Sequence, residues 1–134
     1  MVYEYKKKFL FIVPQKAAVK RGSKYLIMKR AANSRIRPGY WDFPGGKLEC
    51  REKSAESVER EIYEETGLKS KATKPVFAFT ELIDGTGHIV IIYECRAKGK
   101  VKLSNEHSEF VWATKEKILK MKAEPFIKAF LRSK

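Results

Sequence analysis

The sequence contains three glutamates, Glu61, Glu64 and Glu65, whose spacing predicts that they share one face of an α-helix. Clustered carboxylates repel one another, and the repulsion grows where water is excluded, so a divalent cation is their natural counterion. Carboxylate oxygens are hard ligands that suit Mg²⁺, with Mn²⁺ as a substitute. The residue types and their spacing therefore indicate a candidate metal site.

A glutamate-rich helix is more often a solvated surface than a metal site, but the helical wheel gives evidence to the contrary here. Ala55, Val58 and Ile62 recur at helical spacing and form an apolar stripe. At about 100° per residue, Glu65 projects beside that stripe and not opposite it. We therefore expect the carboxylate of Glu65 to be partly buried.

Two glycines lie upstream of the acidic helix, in the segment Phe43-Pro44-Gly45-Gly46-Lys47. Paired glycines let the backbone approach a ligand closely and free a carbonyl oxygen to bind a metal, although Pro-Gly-Gly is also an ordinary turn. After Gly46 come five residues, Glu52, seven more residues and then Arg60-Glu61-Ile62-Tyr63-Glu64-Glu65-Thr66-Gly67-Leu68. This arrangement resembles the Nudix box at every defined position.

The resemblance to the Nudix superfamily implies an α/β fold, an α/β/α sandwich with a mixed central sheet. In that fold the box forms a loop, a helix and a second loop over the catalytic metals. By the family pattern, Glu61, Glu64 and Glu65 are the metal-binding and catalytic carboxylates, and the Gly45 carbonyl is a further metal ligand. Glu61 is the first choice for the general base.

Other residues follow from the same resemblance. Arg60 is expected to pair with Glu52, the first glutamate of the box, and to brace the loop without contacting substrate. A further acid from a later loop usually joins the metals in this family. Glu106 is the first choice for that acid, and Glu109 is the second.

The bound metals would bridge phosphate oxygens and lower the pKa of a water that attacks phosphorus in line. Lys47 and Arg30 are candidate phosphate contacts, and Lys47 is also a candidate catalytic residue. Phe43 is a candidate substrate contact. Such an aromatic residue, like Trp41 and Trp112, is nevertheless more often packed in the core or against a loop.

Two longer segments resemble the MutT-like branch of the superfamily: Gly39-Tyr40-Trp41-Asp42-Phe43-Pro44-Gly45-Gly46-Lys47-Leu48-Glu49 and Glu124-Pro125-Phe126-Ile127. That branch commonly hydrolyses nucleoside triphosphates, including oxidised ones, to the monophosphate and pyrophosphate, as a means of nucleotide pool sanitation. Members that recognise oxidised guanine tend to carry asparagine where this chain has Ala123, so that specificity is not implied. ADP-ribose and dinucleoside polyphosphates are alternative substrates.

The acidic helix is predicted to span residues 54–66, with Ser54 as a possible N-cap and Gly67 as its C-terminal stop. A continuous apolar run at 9–13 predicts a central strand covered on both faces. His88 and His107 are expected at a strand start and in a polar loop, and not on a metal. The remaining predicted elements are strands at 9–19, 24–29, 76–82 and 88–97 and helices near 115–121 and 125–131.

The 134 residues, of which 43% are hydrophobic, predict one domain over residues 1–134. The net charge of +13 favours anionic partners. A small nucleotide substrate is expected. A nucleic-acid-binding module on a Nudix scaffold is the alternative function. The complete set of acidic residues in the box is evidence against it, because hydrolysis needs those residues and nucleic-acid binding does not.

Two distant cysteines and the lack of an export or membrane-spanning segment predict a reduced, cytoplasmic protein that does not enter membranes. Whether it is a monomer or a homodimer is left open.

Overall fold

The computed structural model describes residues 10–134. Phe9, where one predicted strand begins, lies outside the described residues. The strands are β1 (Phe11–Ile12), β2 (Pro14–Arg21), β3 (Lys24–Arg30), β4 (Trp41–Asp42), β5 (Gly45–Lys47), β6 (Lys69–Ile83), β7 (Thr86–Lys98) and β8 (His107–Thr114). The helices are α1 (Ser54–Thr66), α2 (Lys115–Leu119) and α3 (Pro125–Arg132).

The sheet is mixed and is built around β2. This strand pairs in parallel with β7 and antiparallel with β3 and β5, while β6 and β8 extend the sheet beyond β7 and β3. The prediction that residues 9–13 form a central strand is wrong for the described part. Phe11 is 49% exposed because, among residues 10–134, β1 pairs with β7 alone, whereas β2 continues in the same register on β7 and also pairs with β3 and β5.

Alternate residues of β2 face opposite layers, as the pleat of a strand requires. Ala17 and Val19 pack with Val58 and Ile62 of α1. Ala18 lies on the other face, in a core cluster that includes Ile118 of α2 and the apolar side chains of α3. Helices therefore cover both faces of a mixed sheet, which confirms the predicted α/β/α sandwich.

Helix α1 has the predicted bounds and the predicted C-terminal stop. Gly67 adopts a left-handed conformation with φ of 73°, and its N–H donates to the Tyr63 carbonyl over 2.8 Å. The predicted N-cap is wrong: Lys53 holds that position without a side-chain bond, whereas the Ser54 hydroxyl contacts Gln15. The buried Gln15 amide is therefore the partner that determines the position of the Ser54 side chain.

The β6–β7 hairpin is longer than its two predicted strands. Its turn lies at Asp84 and Gly85, both with positive φ, as a two-residue hairpin turn requires. The early part of β6 is rich in lysine and contains two register shifts, so its sequence lacks the regular alternation that predicts a strand. Pairing with β7 makes this segment a strand.

Strand β8 was not predicted, whereas both C-terminal helices were. β8 pairs along its whole length with β3, and this pairing makes a strand of a segment whose first half is polar. α2 begins at the Thr114 side chain, which accepts from the Lys117 N–H. None of the three helices within residues 10–134 has the length and apolar composition needed to cross a lipid bilayer.

Candidate active site

The backbone of β5 packs directly against the carboxylates of α1. The Gly45 N–H donates to Glu65 Oε1 over 2.8 Å. A Cβ atom on Gly46 would lie 2.5 Å from the carboxyl carbon of Glu61, so that position has no room for a side chain. Gly45 has φ of 150°, and a Cβ there would overlap the Gln15 carbonyl oxygen. Gly45 is therefore required by the close approach of β5 to β2, and Gly46 by the close approach of β5 to α1.

The residues at the start of β8 complete an acidic cluster. Glu65, Glu106 and His107 offer ligand atoms that all lie within 4.8 Å of one another, an arrangement that could hold a metal ion. The second-choice acid, Glu109, lies outside this cluster, with its carboxylate 3.8 Å from Lys29 Nζ. The geometry therefore favours Glu106 over Glu109 as the acid from a later segment.

The sequence predicted His107 in a polar loop, but the structure places it in a strand. It is the first residue of β8, its side chain is only 7% exposed, and its Nδ1 lies 3.7 Å from Glu65 Oε2. Burial lowers the pKa of His107, so the imidazole is neutral near pH 7. No local spacing could have identified this residue, because its neighbour Glu65 is 42 positions away in the chain.

Burial raises the pKa of the Glu65 carboxyl to about 8, against the opposing effects of Lys16 and of the Gly45 N–H. The partial burial expected for this residue is confirmed, since it is only 4% exposed. Burial also raises the pKa of Glu61, with Arg60 opposing and Glu64 and Glu106 adding to the effect. A cation in the cluster would oppose these shifts, because its positive charge stabilises the ionised carboxylates.

Arg60 braces the box as predicted. Its Nη2 lies 2.9 Å from Glu52, and its Nη1 lies 3.1 Å from Glu64 and 3.3 Å from Glu61. Glu64 has a side chain that is 54% exposed and lies outside the acidic cluster of Glu65, Glu106 and His107. Its role as a metal ligand stays a prediction.

A buried aspartate holds two cations beside the acidic cluster. The Asp42 carboxylate, 1% exposed, accepts from Lys16 Nζ over 3.0 Å and from Arg30 Nη1 over 2.9 Å. Burial acts to lower the pKa of Lys16, but the carboxylates of Asp42 and Glu65 outweigh it and raise the pKa. Arg30 was predicted here, but Lys16 and Asp42 were not. Lys16 lies outside the motifs, and the segment that contains Asp42 gives no sign of its partners on β2 and β3. All three line one cavity together with Gly45, Glu65, Glu106 and His107.

A second cavity adjoins the first and shares Lys16, Arg30 and Glu106 with it. Lys47 lines this second cavity and is exposed. The other lining residues are Gly46, His88, five apolar side chains and three charged ones: Pro14, Ile36, Ile83, Val90, Phe126, Arg37, Glu81 and Glu124. We call this cavity the apolar slot.

The charged group in the apolar slot centres on Arg37. Its guanidinium contacts both Glu81 and Glu124, and Glu124 is only 2% exposed. Oε1 of Glu124 has no hydrogen-bond partner among the described residues and lies 3.7 Å from Arg30 Nη1. Burial raises the pKa of Glu124, with Asp42 adding to the effect and Arg37 and Arg30 opposing it. One buried carboxylate oxygen is thus available to a ligand.

The prediction that Phe43 contacts substrate is wrong. Its ring is fully buried in the core between β3 and α3, with ring centroids 6.1 Å from Tyr25 and 6.2 Å from Phe130. The alternation of a strand explains this outcome, since Asp42 faces the cavity and the next residue must face the core.

Comparison with known proteins identifies the family. The NUDIX domain matches residues 15–133 of this chain. The chain belongs to the Nudix family. Nudix hydrolases use divalent metal ions and act on small nucleotide substrates, and the acidic cluster of Glu65, Glu106 and His107 in this Nudix hydrolase agrees with that use of metal.

Similar proteins place it near the MutT-like members. This Nudix hydrolase is 28% identical over 109 residues to a MutT-like protein of Streptomyces ambofaciens, across 81% of this chain and 66% of that protein. It is 32% identical to the nucleoside triphosphatase NudI of Enterobacter sp. (strain 638), across 75% and 79% of the two chains. The crystal structure of the MutT protein from Methanosarcina mazei Go1 superimposes with a TM-score of 0.86 at 30% identity, covering 96% and 95%.

Proposed function

We propose that this Nudix hydrolase converts a nucleoside triphosphate to the monophosphate and pyrophosphate, with Mg²⁺ as its metal. The observation that carries the proposal is one cavity in which Glu65, Glu106 and His107 face the paired cations Lys16 and Arg30. Such a cavity offers a metal site and a phosphate site side by side. The relatives named as a nucleoside triphosphatase and as MutT-like proteins support the same substrate class.

The donor set fits a divalent cation. Clustered carboxylates that repel one another, one of them buried with a pKa of about 8, are the arrangement that such an ion stabilises. Glu65, Glu61 and Glu106 are the proposed ligands, with the Gly45 carbonyl, and Glu64 is retained from the family pattern. A bound ion would neutralise phosphate charge and lower the pKa of a water molecule.

Glu61 is the proposed general base. Its side chain is 20% exposed, so water can reach it. Arg60, 3.3 Å away, keeps this carboxylate in position through the brace to Glu52. Glu61 would accept the proton of the attacking water while the glycine backbone of β5 fixes its other side.

Lys16 and Arg30 are the proposed contacts for the transferred phosphate oxygens, and Lys47 for a phosphate further out. Asp42 holds both inner cations in fixed positions, so they lose little freedom when phosphate binds. The exposed Lys47 is the more mobile contact.

The apolar slot is the proposed nucleoside site. A base is flat and largely apolar, and its polar groups lie on its edge, which suits apolar walls with one buried polar group. The free Oε1 of Glu124 accepts hydrogen bonds, so it favours bases that carry an amino group. Arg37 fixes the other oxygen of the same carboxylate.

The test is a magnesium-dependent assay of pyrophosphate and phosphate release over natural and oxidised nucleoside triphosphates, ADP-ribose and dinucleoside polyphosphates. Turnover of a triphosphate with release of pyrophosphate is expected, and Glu65→Gln should reduce it at least about 100-fold because a metal ligand is lost. Glu56→Gln is the matched control, an exposed glutamate in the first turn of the same helix, and should stay within about twofold. Absence of metal-dependent turnover on every triphosphate would contradict the proposal.

A further inference from the structure

A group of cations lies at the end of the sheet opposite the candidate active site. Lys16 and Arg30 line the active-site cavity, whereas Arg21 and Lys24 lie at the other ends of the same strands. Arg21 lies five positions after Lys16 in β2, which is about 17 Å along the strand. Five exposed basic side chains lie on one sheet face at this far end, and we call them the cationic face: Lys20, Lys69, Lys71, Arg96 and Lys98.

The register of β6 and β7 places four of these cations in two directly opposed pairs. Lys69 lies opposite Lys98, and Lys71 lies opposite Arg96. Like charges at directly opposed positions destabilise a β-ladder. Among residues 10–134, none of the four takes part in an ion pair that would offset this repulsion.

The alternation of the strands shows which way these side chains point. Cys95 and Ala97 pack in the core cluster under α1, so Arg96 and Lys98 face the opposite layer, where α3 lies. Both side chains are exposed.

Lys20 extends the cationic face onto a third strand. Val19 of β2 pairs in parallel with Cys95, so the next residue, Lys20, follows beside Arg96. Its Nζ lies 5.5 Å from the ring centroid of Tyr25, over the same sheet face. Glu94 is the neighbouring acid on this face, so the cations outnumber the carboxylate.

We infer that the cationic face binds the phosphodiester backbone of a nucleic-acid strand. Side chains on adjacent strands are about 5 Å apart, and those on alternate residues of one strand are about 7 Å apart. This regular grid of single charges suits a polymer with one negative charge per repeat. Binding through the backbone carries no direct readout of bases, so little sequence selectivity is expected.

The surroundings favour nucleic acid over an anionic membrane. Proteins that lie on a membrane insert apolar side chains beside their cations. The large apolar side chains that are exposed near the hairpin turn, Leu10, Phe11 and Leu82, lie at the opposite end of the β6–β7 hairpin from Lys69 and Lys98.

The test is fluorescence anisotropy with labelled single-stranded RNA, single-stranded DNA and duplex DNA of about 20 nucleotides, over a salt range of about 50–200 mM. EDTA is present, so hydrolysis plays no part. Wild-type binding should weaken steeply with salt, and Lys69→Gln/Lys98→Gln should lower the slope for a single strand by about 0.7 for each cation removed. The relative affinities of the three probes then show which type of strand is preferred.

Lys120→Gln/Lys128→Gln is the matched control, with the same loss of charge on α3 and after α2, and it should change the affinity by less than about twofold. Removing opposed like charges should leave the Tm unchanged or raise it, which excludes misfolding as the cause. Triphosphate turnover should be unaffected, so the result does not depend on the proposed activity. No binding at low salt, equal weakening in both double variants, or binding only to phosphatidylserine vesicles would overturn the inference.

Discussion

Replacement of Glu65 by glutamine should stabilise the metal-free protein at alkaline pH. The pKa of this carboxyl is raised from 4.5 to about 8 by burial, so the folded protein holds a proton there that the unfolded chain releases. A raised pKa contributes stability that is complete below the unfolded value and is lost as the pH rises through the folded value. The wild type should therefore lose stability between about pH 5 and pH 8.

The size of the effect follows from the shift. Each pH unit within this window changes the free energy of unfolding by about 1.4 kcal/mol, so about 4 kcal/mol is lost by pH 8. Glutamine has nearly the same shape, its amide oxygen can still accept from the Gly45 N–H, and it carries no charge at any pH. The variant should therefore match the wild type near pH 5 and exceed it at pH 8, with a Tm at least about 5 °C higher.

The measurement is thermal unfolding in EDTA across this pH range, for the wild type, Glu65→Gln and the control Glu56→Gln. His107 also titrates, but it is present in all three proteins, so differences between their curves report on residue 65. Added Mg²⁺ should raise the Tm of the wild type more than that of Glu65→Gln, because binding to the folded state stabilises it. An equal Tm difference at pH 5 and pH 8, or a wild type that is the more stable at pH 8 without metal, would refute the reasoning.

Three other substitutions test separate parts of the site. Gly46→Ala should lower kcat about 100-fold in steady-state assays with little change in Tm, because the new Cβ would lie 2.5 Å from the Glu61 carboxyl carbon and displace it. Phe43→Ala should cost about 3–5 kcal/mol in denaturant unfolding but leave KM within about twofold at a temperature where the protein is folded, since the ring is fully buried. Glu124→Gln should reduce the preference in kcat/KM for amino-bearing bases over uridine triphosphate by about tenfold, because its free oxygen lies in the apolar slot; an unchanged preference would exclude that role.

Local patterns in the sequence predicted those structural features that depend on a single helix or motif. The burial of Glu65 follows from its angle on the helical wheel, and the end of α1 follows from Gly67. The brace from Arg60 to Glu52 joins two positions of one short motif. The first two features follow from spacing within one helix, whereas the brace was expected from the resemblance to the Nudix box.

The remaining features arise from contacts between distant segments. Asp42 gains its role from Lys16 and Arg30, which lie on two other strands. His107 meets Glu65 only because β8 pairs with β3. The apolar run at Phe11 was a misleading signal, since hydrophobic content alone does not show whether other strands pair on both sides. Partners of this kind are fixed by topology, which local periodicity does not encode.

The parallel pairing of β2 with β7 also has a consequence for how the chain folds. Gln15 lies beside Ile91, so the innermost strand of the sheet obtains its parallel neighbour only after 76 positions of chain have been brought back to it. Closing such a long loop costs entropy before any contact compensates for it, which slows folding. The acidic cluster forms only after a still later segment, which contains His107, has folded against Glu65. The apolar slot likewise requires Glu124, which lies later again in the chain. During synthesis on the ribosome, helix α1 emerges well before these partners, so its carboxylates remain in water, with ordinary acidity, until the last third of the chain folds around them.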